Sequence, residues 1–460
     1  MPFRTIPGTA VEYALISFDK DGTERIGDPA AAPGGKFSDR LIEQLTTQPI
    51  TNVFFFSHGW KGDVPAAVEQ YDSWIGAMAA RTDDLQQMKA AVPNFVPLWV
   101  GIHWPSQPWG DEEIGSAESS FDILGSGPSL SQLQQEYVER LGDTPEIRAA
   151  LDVIFQEARH NAAADSLSPA VRQAYLDLNA ALGLGAEGEG AGPGDDRLAF
   201  DPDVAFQAGN ESVAFGGSGW NFGGILSPLR QLSFWTMKKR ANTVGEKGMY
   251  KMLTAMLSAT ASRGTRFHLM GHSFGCIVVS SMIGGPDGQA PLPRPVSSVA
   301  LVQGAFSLWG YSPDIPRRRG TPGYFAKTLT MGKVAGPIVT TQSKFDTAVG
   351  KFYPIGSGLL GQVAYDLEED GLPTFGGVGS FGVRGLSQGS SIQDKMLAAS
   401  GVYSFEPGKI YNLNSNEFIC HGDGASGAHS DISGPEVAHA IWQAAIAGSK
   451  AGTSRAGSGG

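Results

Sequence analysis

The chain has 460 residues, of which 41% are hydrophobic and 17% charged, a composition typical of globular proteins and unlike that of disordered ones. Its formal net charge of −12 disfavours binding to nucleic acid or to anionic membrane surfaces, because both are themselves negative. A chain of this length can bury a large core without disulfide bonds or a structural metal.

The N-terminal part shows alternating strand and helix patterns. Residues 11–18 are rich in β-formers, and residues 38–45 have the apolar spacing of a short amphipathic helix. The nearly unbroken apolar run Asn52–Ser57 predicts a strand buried on both faces, as in a parallel sheet. This strand runs directly into His58-Gly59-Trp60, and a further apolar strand is expected at residues 95–103.

Residues 106–233 interrupt this alternation, and we interpret them as an inserted cap. Three helical segments fit between residues 130 and 182, and the second and third have Pro at the first helical position. The loop 185–196 is rich in Gly and acidic residues and is expected to be mobile. A Gly- and aromatic-rich stretch at 215–224 follows it.

Regular alternation returns after the cap and predicts elements in the order helix, strand, helix, three strands and helix, at residues 238–258, 266–270, 274–282, 296–303, 337–342, 409–413 and 436–445. Residues 356–400 are interpreted as a second irregular insertion and 448–460 as a disordered tail. The core thus comprises residues 1–105 and 234–447. Strands alternating with helices predict an α/β fold with a doubly wound, mostly parallel sheet and sites at the carboxyl ends of its strands.

The segment Gly271-His272-Ser273-Phe274-Gly275 matches the G-x-S-x-G pattern of a nucleophile elbow. In this turn the nucleophile sits on a strained backbone, and the residues two before and two after it approach too closely for side chains. Gly271 and Gly275 meet that requirement, and the segment lies directly between an apolar strand and an apolar helix. The pattern therefore predicts Ser273 as a nucleophile.

A serine needs a base to remove its proton, and His429 is the predicted base. It lies in a Gly-rich loop between the last strand and the final helix, where a loop can deliver an imidazole to the serine. His421 in the same loop, His272 inside the elbow and His439 on the final helix are the alternatives. The helical position of His439 makes it hard for that side chain to reach over the sheet.

The carboxylate that orients the base is predicted to be Asp346. It follows the strand expected at 337–342, so its side chain can reach the second ring nitrogen of the histidine. Asp314 follows the preceding strand and is the first alternative. Asp423 and Asp431 flank the histidine and are expected to be solvated.

Two backbone N–H groups are expected to stabilise negative charge on a substrate oxygen. One belongs to Phe274, the residue after the predicted nucleophile. The other is assigned to Trp60, because Gly59 lets the backbone after strand Asn52–Ser57 approach the site.

These motifs resemble those of serine hydrolases with the α/β-hydrolase fold: the elbow at Ser273, an H-G segment at His58-Gly59, and the chain order Ser273, Asp346, His429. The resemblance covers about residues 11–101 and 238–445 and leaves the cap outside. It implies acyl transfer through a covalent serine intermediate but no particular substrate, since esterases, lipases, thioesterases, amidases and acyltransferases share it. The longer H-G-G-G motif is absent, which argues against the esterase branch that depends on it.

Hydrolysis of a small carboxylic ester with an apolar acyl or aryl part is the expected activity. Aromatic residues in or beside the cap could line a pocket for that part or form the cap's own core: Trp104, Trp109, Trp220, Phe222 and Trp235. Trp60, His272, Trp104 and Trp220 are the predicted substrate contacts. An acyltransferase with the same three residues is an alternative activity, and a non-catalytic binding module is a further alternative.

No cofactor and no metal are expected. The pairs His421/Asp423 and His429/Asp431 could be drawn as a metal site, but a metal-free catalytic loop explains them more simply. Of the two cysteines, Cys276 lies in an apolar run and is predicted to be a buried free thiol. The sequence shows no secretory pattern and no membrane-length apolar stretch, so a cytoplasmic location is expected.

Overall fold

The computed structural model describes residues 3–26, 35–60, 64–106, 130–161, 164–214, 224–352, 372–422 and 426–456. Within these ranges the chain forms an α/β structure built on one sheet of nine strands, with helices packed against it. The same ranges contain no helix that is both long and apolar enough to cross a membrane.

The strands are β1 (Phe3–Thr5), β2 (Glu12–Ser17), β3 (Asn52–Ser57), β4 (Pro97–His103), β5 (Arg266–His272), β6 (Ser298–Val302), β7 (Ile338–Gln342), β8 (Ser391–Lys395) and β9 (Ile410–Asn414). They lie side by side in the order β1-β2-β4-β3-β5-β6-β7-β9-β8. Only the β1–β2 pair is antiparallel, so the predicted mostly parallel α/β sheet is confirmed.

The two edge strands were not predicted. β8 lies inside the stretch 356–400 that we interpreted as irregular, and that interpretation is wrong for residues 391–395. Its sequence has a single apolar residue, Ile392, and its side chains are partly or fully exposed. An exposed edge strand leaves no alternating apolar pattern, and this explains why the sequence did not indicate it.

The helices are α1 (Phe37–Thr47), α2 (Val64–Ala79), α3 (Thr82–Ala91), α4 (Leu130–Leu141), α5 (Pro145–His160), α6 (Pro169–Ala181), α7 (Pro202–Ala214), α8 (Ser227–Val244), α9 (Tyr250–Ala259), α10 (Gly275–Gly284), α11 (Ala326–Thr330), α12 (Val378–Phe381) and α13 (Pro435–Ala456). The three helices predicted between residues 130 and 182 are present as α4, α5 and α6. Thr144 caps α5 by accepting a hydrogen bond from the backbone N–H of Ile147.

Helix α13 continues past residue 445, where we predicted its end, and includes residues 448–456 of the segment predicted to be disordered. The reason is close packing against the sheet. A Cβ on Gly448 would lie 2.1 Å from the carbonyl oxygen of Ser297, so only glycine permits this approach. Ser449 is fully buried and accepts a hydrogen bond from Asn52. These contacts hold the helix against the sheet at residues 448 and 449.

The apolar core of the described residues divides into three clusters, two of them large. One contains buried side chains of the inserted helices α4–α6 together with those of α8 and α10. Helix α8 begins at Ser227, so the predicted cap boundary at residue 233 falls within a helix that packs on α10. Cys276 of α10 is a buried free thiol, as predicted, and burial raises its pKa.

The acid-rich loop 185–196 is held by buried contacts, contrary to the expected mobility. Asp196 accepts a hydrogen bond from Lys238 Nζ of α8 at 2.5 Å, and the ammonium group of Lys238 is fully buried. Glu189 is 2% exposed and accepts a hydrogen bond from Ser307 Oγ at 2.5 Å. The guanidinium of Arg318 donates to the backbone carbonyl of the same glutamate. Glu189 and Asp196, two of the acidic residues that suggested a mobile loop, therefore attach the loop to Ser307 and to Lys238 of α8.

Glu189 makes the stability of the protein depend on pH. Burial, with the nearby Asp196 carboxylate, raises the pKa of Glu189 from 4.5 to about 8. The folded protein thus keeps a proton that the unfolded chain has lost. The resulting stabilisation is complete below pH about 4.5 and is lost as the pH rises through about 8. We expect the parent to lose on the order of 3–5 kcal/mol of stability between pH 5 and pH 9, and Glu189→Gln, which cannot ionise, to lose much less.

The measurement is denaturant unfolding of both proteins at pH 5 and pH 9. Glu187→Gln is the matched control, because Glu187 is an exposed glutamate of the same loop. Equal pH dependence in the parent and in Glu189→Gln would contradict the prediction.

Candidate active site

Ser273 lies on the turn between β5 and α10 with a backbone φ of +55°. Few residues other than glycine adopt positive φ, and such strained positions cluster at functional sites. Hydrogen bonds to the end of β6 hold the turn: Ser273 N–H donates to the carbonyl of Val302 at 3.1 Å, and Ala305 N–H donates to the carbonyl of Ser273 at 3.2 Å. The side chain of Ser273 is therefore presented at the carboxyl end of the sheet on a fixed backbone.

The two elbow glycines are required for different reasons. A Cβ on Gly271 would lie 2.4 Å from the carbonyl oxygen of Gly275, which is the mutual approach expected from the sequence. A Cβ on Gly275 would instead lie 2.1 Å from the carbonyl oxygen of Ser57 at the end of β3. The second glycine thus allows α10 to pack against the neighbouring strand.

His429 and Asp346 form a buried hydrogen-bonded pair. His429 Nδ1 lies 2.8 Å from Asp346 Oδ2, and the aspartate is 1% exposed. Because an ionised carboxylate only accepts hydrogen bonds, the Nδ1 atom carries the proton. Asp346 follows β7 and His429 follows β9, which are neighbours in the sheet, so two adjacent loops bring the pair together.

Two further donors hold the aspartate. The backbone N–H of Val349 donates to Asp346 Oδ1 at 2.9 Å, and Gln303 Nε2 donates to Asp346 Oδ2 at 2.8 Å. Gln303 directly follows β6 and has a positive φ of 48°. Its own side-chain oxygen accepts from Thr341 Oγ1 at 2.8 Å. The carboxylate is thus oriented by protein donors in place of water.

His272 connects this pair to the elbow. Its Nε2 lies 2.9 Å from the carbonyl oxygen of His429, and the two imidazole rings are 4.9 Å apart between centroids. His272 directly precedes Ser273 in the chain. Ser273, His429 and Asp346 therefore lie together at the carboxyl ends of the sheet's strands.

The other histidines lie elsewhere. His421 is exposed, with Nδ1 3.2 Å from Asp431 Oδ2. His439 is buried between α13 and α3, where Nδ1 lies 2.7 Å from Asp84 Oδ1.

Two of the alternative carboxylates, Asp314 and Asp431, bind other groups. Asp314 accepts a hydrogen bond from the backbone N–H of Gly320 within its own loop. Asp431 binds the backbone N–H of Cys420 and of His421. Asp423 lies outside the described residues.

The loop after β3 approaches the elbow at Gly59. A Cβ on Gly59 would lie 2.6 Å from the Cβ of Ser273 and 3.0 Å from the carbonyl oxygen of His272. Trp60 packs its ring 5.1 Å from that of Phe274 and 6.0 Å from that of Phe234, measured between centroids. The two residues predicted to donate backbone N–H groups, Trp60 and Phe274, are thus in contact with each other beside the serine.

Gly59→Ala should disrupt this approach. The added methyl group forces the loop or Ser273 to move, and a displacement near 1 Å can lower turnover about 10²-fold. If the chain hydrolyses esters, as the sequence predicts, kcat for p-nitrophenyl acetate should fall by about that factor while the thermal unfolding midpoint changes little. Gly76→Ala in α2 is the control, because its methyl would make an ordinary 3.8 Å contact with Ile6. Equal turnover in both variants would contradict the prediction.

Trp104 packs in the hydrophobic core. It is fully buried, and its ring stacks on that of His58 at 5.5 Å with an interplanar angle of 7°. Its indole N–H donates to the carbonyl of His58 at 3.2 Å. Trp235 is also fully buried, with Lys238 Nζ 4.6 Å from its ring centroid. Both tryptophans are core residues, which agrees with the second of the two interpretations given for these aromatic residues and argues against Trp104 as a substrate contact.

The remaining predicted substrate contacts have different positions. Trp60 is half-buried and His272 is buried, and both lie next to Ser273. Trp220, Trp109 and Phe222 lie outside the described residues.

Gln303 and Gln70 contact the site but were not identified from the sequence. Gln303 could have been found because it directly follows β6 and so lies, like Ser273, at the carboxyl end of a strand. Gln70 lies in the middle of α2 and bonds His272 Nδ1 at 2.9 Å, a contact that no local pattern indicates. In the described part of the chain, no three His, Cys, Asp or Glu side chains group as metal ligands.

Comparisons with protein-family models, with curated proteins and with solved structures found no match to this chain.

Proposed function

We propose that the protein is a serine hydrolase of the α/β-hydrolase fold that cleaves carboxylic esters through an acyl-enzyme on Ser273. The observation that carries the proposal is the buried hydrogen bond of 2.8 Å between His429 and Asp346 beside a serine with a φ of +55°. A neutral histidine held in one tautomer by a carboxylate is the arrangement that activates a hydroxyl nucleophile.

In the proposed reaction, His429 Nε2 takes the Oγ proton of Ser273 while Oγ attacks the carbonyl carbon of the ester. The N–H groups of Phe274 and Trp60 bind the developing oxyanion. The bond to the leaving oxygen then breaks, and that oxygen receives the proton from His429. Water then attacks the acyl carbon while His429 takes its proton. The bond between the acyl carbon and Oγ breaks, His429 returns the proton to Oγ, and the acid leaves. Asp346 stabilises the imidazolium in both steps.

The proposal requires His429 Nε2 to reach Ser273 Oγ. A hydrogen bond of this kind is often long before substrate binds and shortens in the complex. Asp346 binds the ring at Nδ1, so the proposed proton transfer uses the other ring nitrogen, Nε2.

The test is covalent labelling with a fluorophosphonate, which reacts with activated serines. We expect one adduct, located on Ser273 by mass spectrometry, and no adduct in Ser273→Ala. Hydrolysis of p-nitrophenyl acetate, butyrate and octanoate is followed in parallel to define the acyl length accepted. Ser280→Ala on α10 is the matched control, because Ser280 is a buried serine that bonds Tyr311. Equal labelling of the parent and Ser273→Ala would exclude the proposed mechanism.

A further inference from the structure

His272 makes a specific contact with the predicted base in addition to adjoining the nucleophile. Its Nε2 lies 2.9 Å from the backbone carbonyl oxygen of His429. A carbonyl oxygen only accepts hydrogen bonds, so Nε2 of His272 carries a proton. His272 is 2% exposed, which removes water as a competing partner. The base is thus attached at two points, at its ring by Asp346 and at its backbone by His272.

Gln70 determines which form of His272 is present. The Nε2 amide of Gln70 lies 2.9 Å from His272 Nδ1. With the Gln70 amide in this orientation its nitrogen donates, so Nδ1 accepts and carries no proton. His272 is therefore the neutral tautomer with its proton on Nε2.

The neutral form matters because the two rings are in contact. The centroids of His272 and His429 are 4.9 Å apart. In the proposed mechanism His429 becomes an imidazolium in each half-reaction, and a second positive charge at this distance would oppose it. A neutral His272 can hold the carbonyl of His429 without that repulsion.

We propose that His272 is a positioning residue for His429 and that Gln70 sets its tautomer. This inference rests on the proposed function, since it assigns His272 a part in presenting the base to Ser273. His272 also lies beneath the loop at Gly59, whose Cβ would be 3.1 Å from His272 Nδ1. The same side chain therefore adjoins the nucleophile, the base and the loop that is expected to bind the oxyanion.

Two substitutions separate positioning from simple filling of space. His272→Gln keeps an N–H donor near the place of Nε2, whereas His272→Phe keeps a ring and loses the donor. We expect His272→Phe to lower kcat by about 10–100-fold with KM within about threefold, because the base is misplaced and substrate binding is not. His272→Gln should recover kcat to within about fivefold of the parent.

A proton NMR measurement tests the same inference without a substrate. The Nδ1 proton shared by His429 and Asp346 should give a resonance far downfield, assigned by its absence in His429→Gln. We expect this resonance to shift or broaden in His272→Phe and to be retained in His272→Gln. Gln70→Leu leaves β5 unchanged and should shift or broaden the same resonance. This variant replaces His272→Phe if His272→Phe does not fold.

The outcomes distinguish this inference from the proposed function. The parent could be labelled at Ser273 while His272→Phe has the same kcat and the same Nδ1 proton resonance as the parent. In that case the positioning role is excluded and the proposed function stands. The positioning role is also excluded if kcat falls as far in His272→Gln as in His272→Phe. If the parent neither reacts with the fluorophosphonate nor hydrolyses esters, the proposed function is excluded. The positioning role of His272 in catalysis is then excluded as well.

Discussion

Replacing His429 by alanine should lower kcat for p-nitrophenyl acetate by about 10⁴-fold or more, because removal of the general base leaves the serine at its ordinary low reactivity. The fluorophosphonate should also label Ser273 far more slowly in this variant. The fold should be retained, since His429 lies in a short turn at Ala428–Ser430 and packs at the rim of the sheet. Rates with and without the substitution, measured at one pH, give the comparison directly.

His421→Ala is the matched control for this prediction. His421 lies in the same loop, is exposed and has its own carboxylate partner, Asp431, at 3.2 Å. We expect its turnover to stay within about twofold of the parent, as for a surface substitution away from the reacting groups. A larger loss in His421→Ala than in His429→Ala would reverse the assignment of the base.

The second large effect is expected for Asp346→Asn. Asparagine has nearly the same shape and its side-chain oxygen can still accept from Val349, but its amide group removes the negative charge opposite His429. The histidine then loses both its fixed tautomer and the stabilisation of its imidazolium form. We expect kcat to fall by about 10³–10⁴-fold with a small change in KM.

Asp314→Asn is the control for the carboxylate. Asp314 follows the preceding strand in the sequence, but its side chain bonds Gly320 N–H at 2.7 Å in its own loop. The expected loss of activity is under about twofold. If Asp314→Asn were as damaging as Asp346→Asn, loss of a capping carboxylate would explain both results without a catalytic role.

The grouping of Ser273, Asp346 and His429 follows from the order of strands. β5, β6, β7 and β9 are consecutive neighbours in the sheet, and the three residues follow β5, β7 and β9. Gln303 follows the strand between, β6, and bonds Asp346 at 2.8 Å. Loops at the carboxyl ends of adjacent parallel strands converge, so four loops from distant parts of the chain meet at one place.

The sequence predicted the features that depend on local pattern. The apolar run Asn52–Ser57 is β3, in which every residue is buried. The G-x-S-x-G pattern at Gly271–Gly275 predicts the turn at which Ser273 has a positive φ, and Gly271 is required there by its contact with the carbonyl of Gly275. These properties are encoded within a few consecutive residues, and they place a candidate nucleophile at a strand end without knowledge of the remaining fold.

Only the tertiary structure decided the roles that depend on partners distant in the chain. Glu189 belongs to an acid-rich loop that composition marks as solvated, yet contact with Ser307 buries it. Trp104 was a candidate pocket residue, but stacking on His58 makes it part of the core. Gln70 reaches His272 across 202 positions of sequence. Burial and hydrogen bonding are set by which segments pack together, and a pattern read along the chain contains no such information.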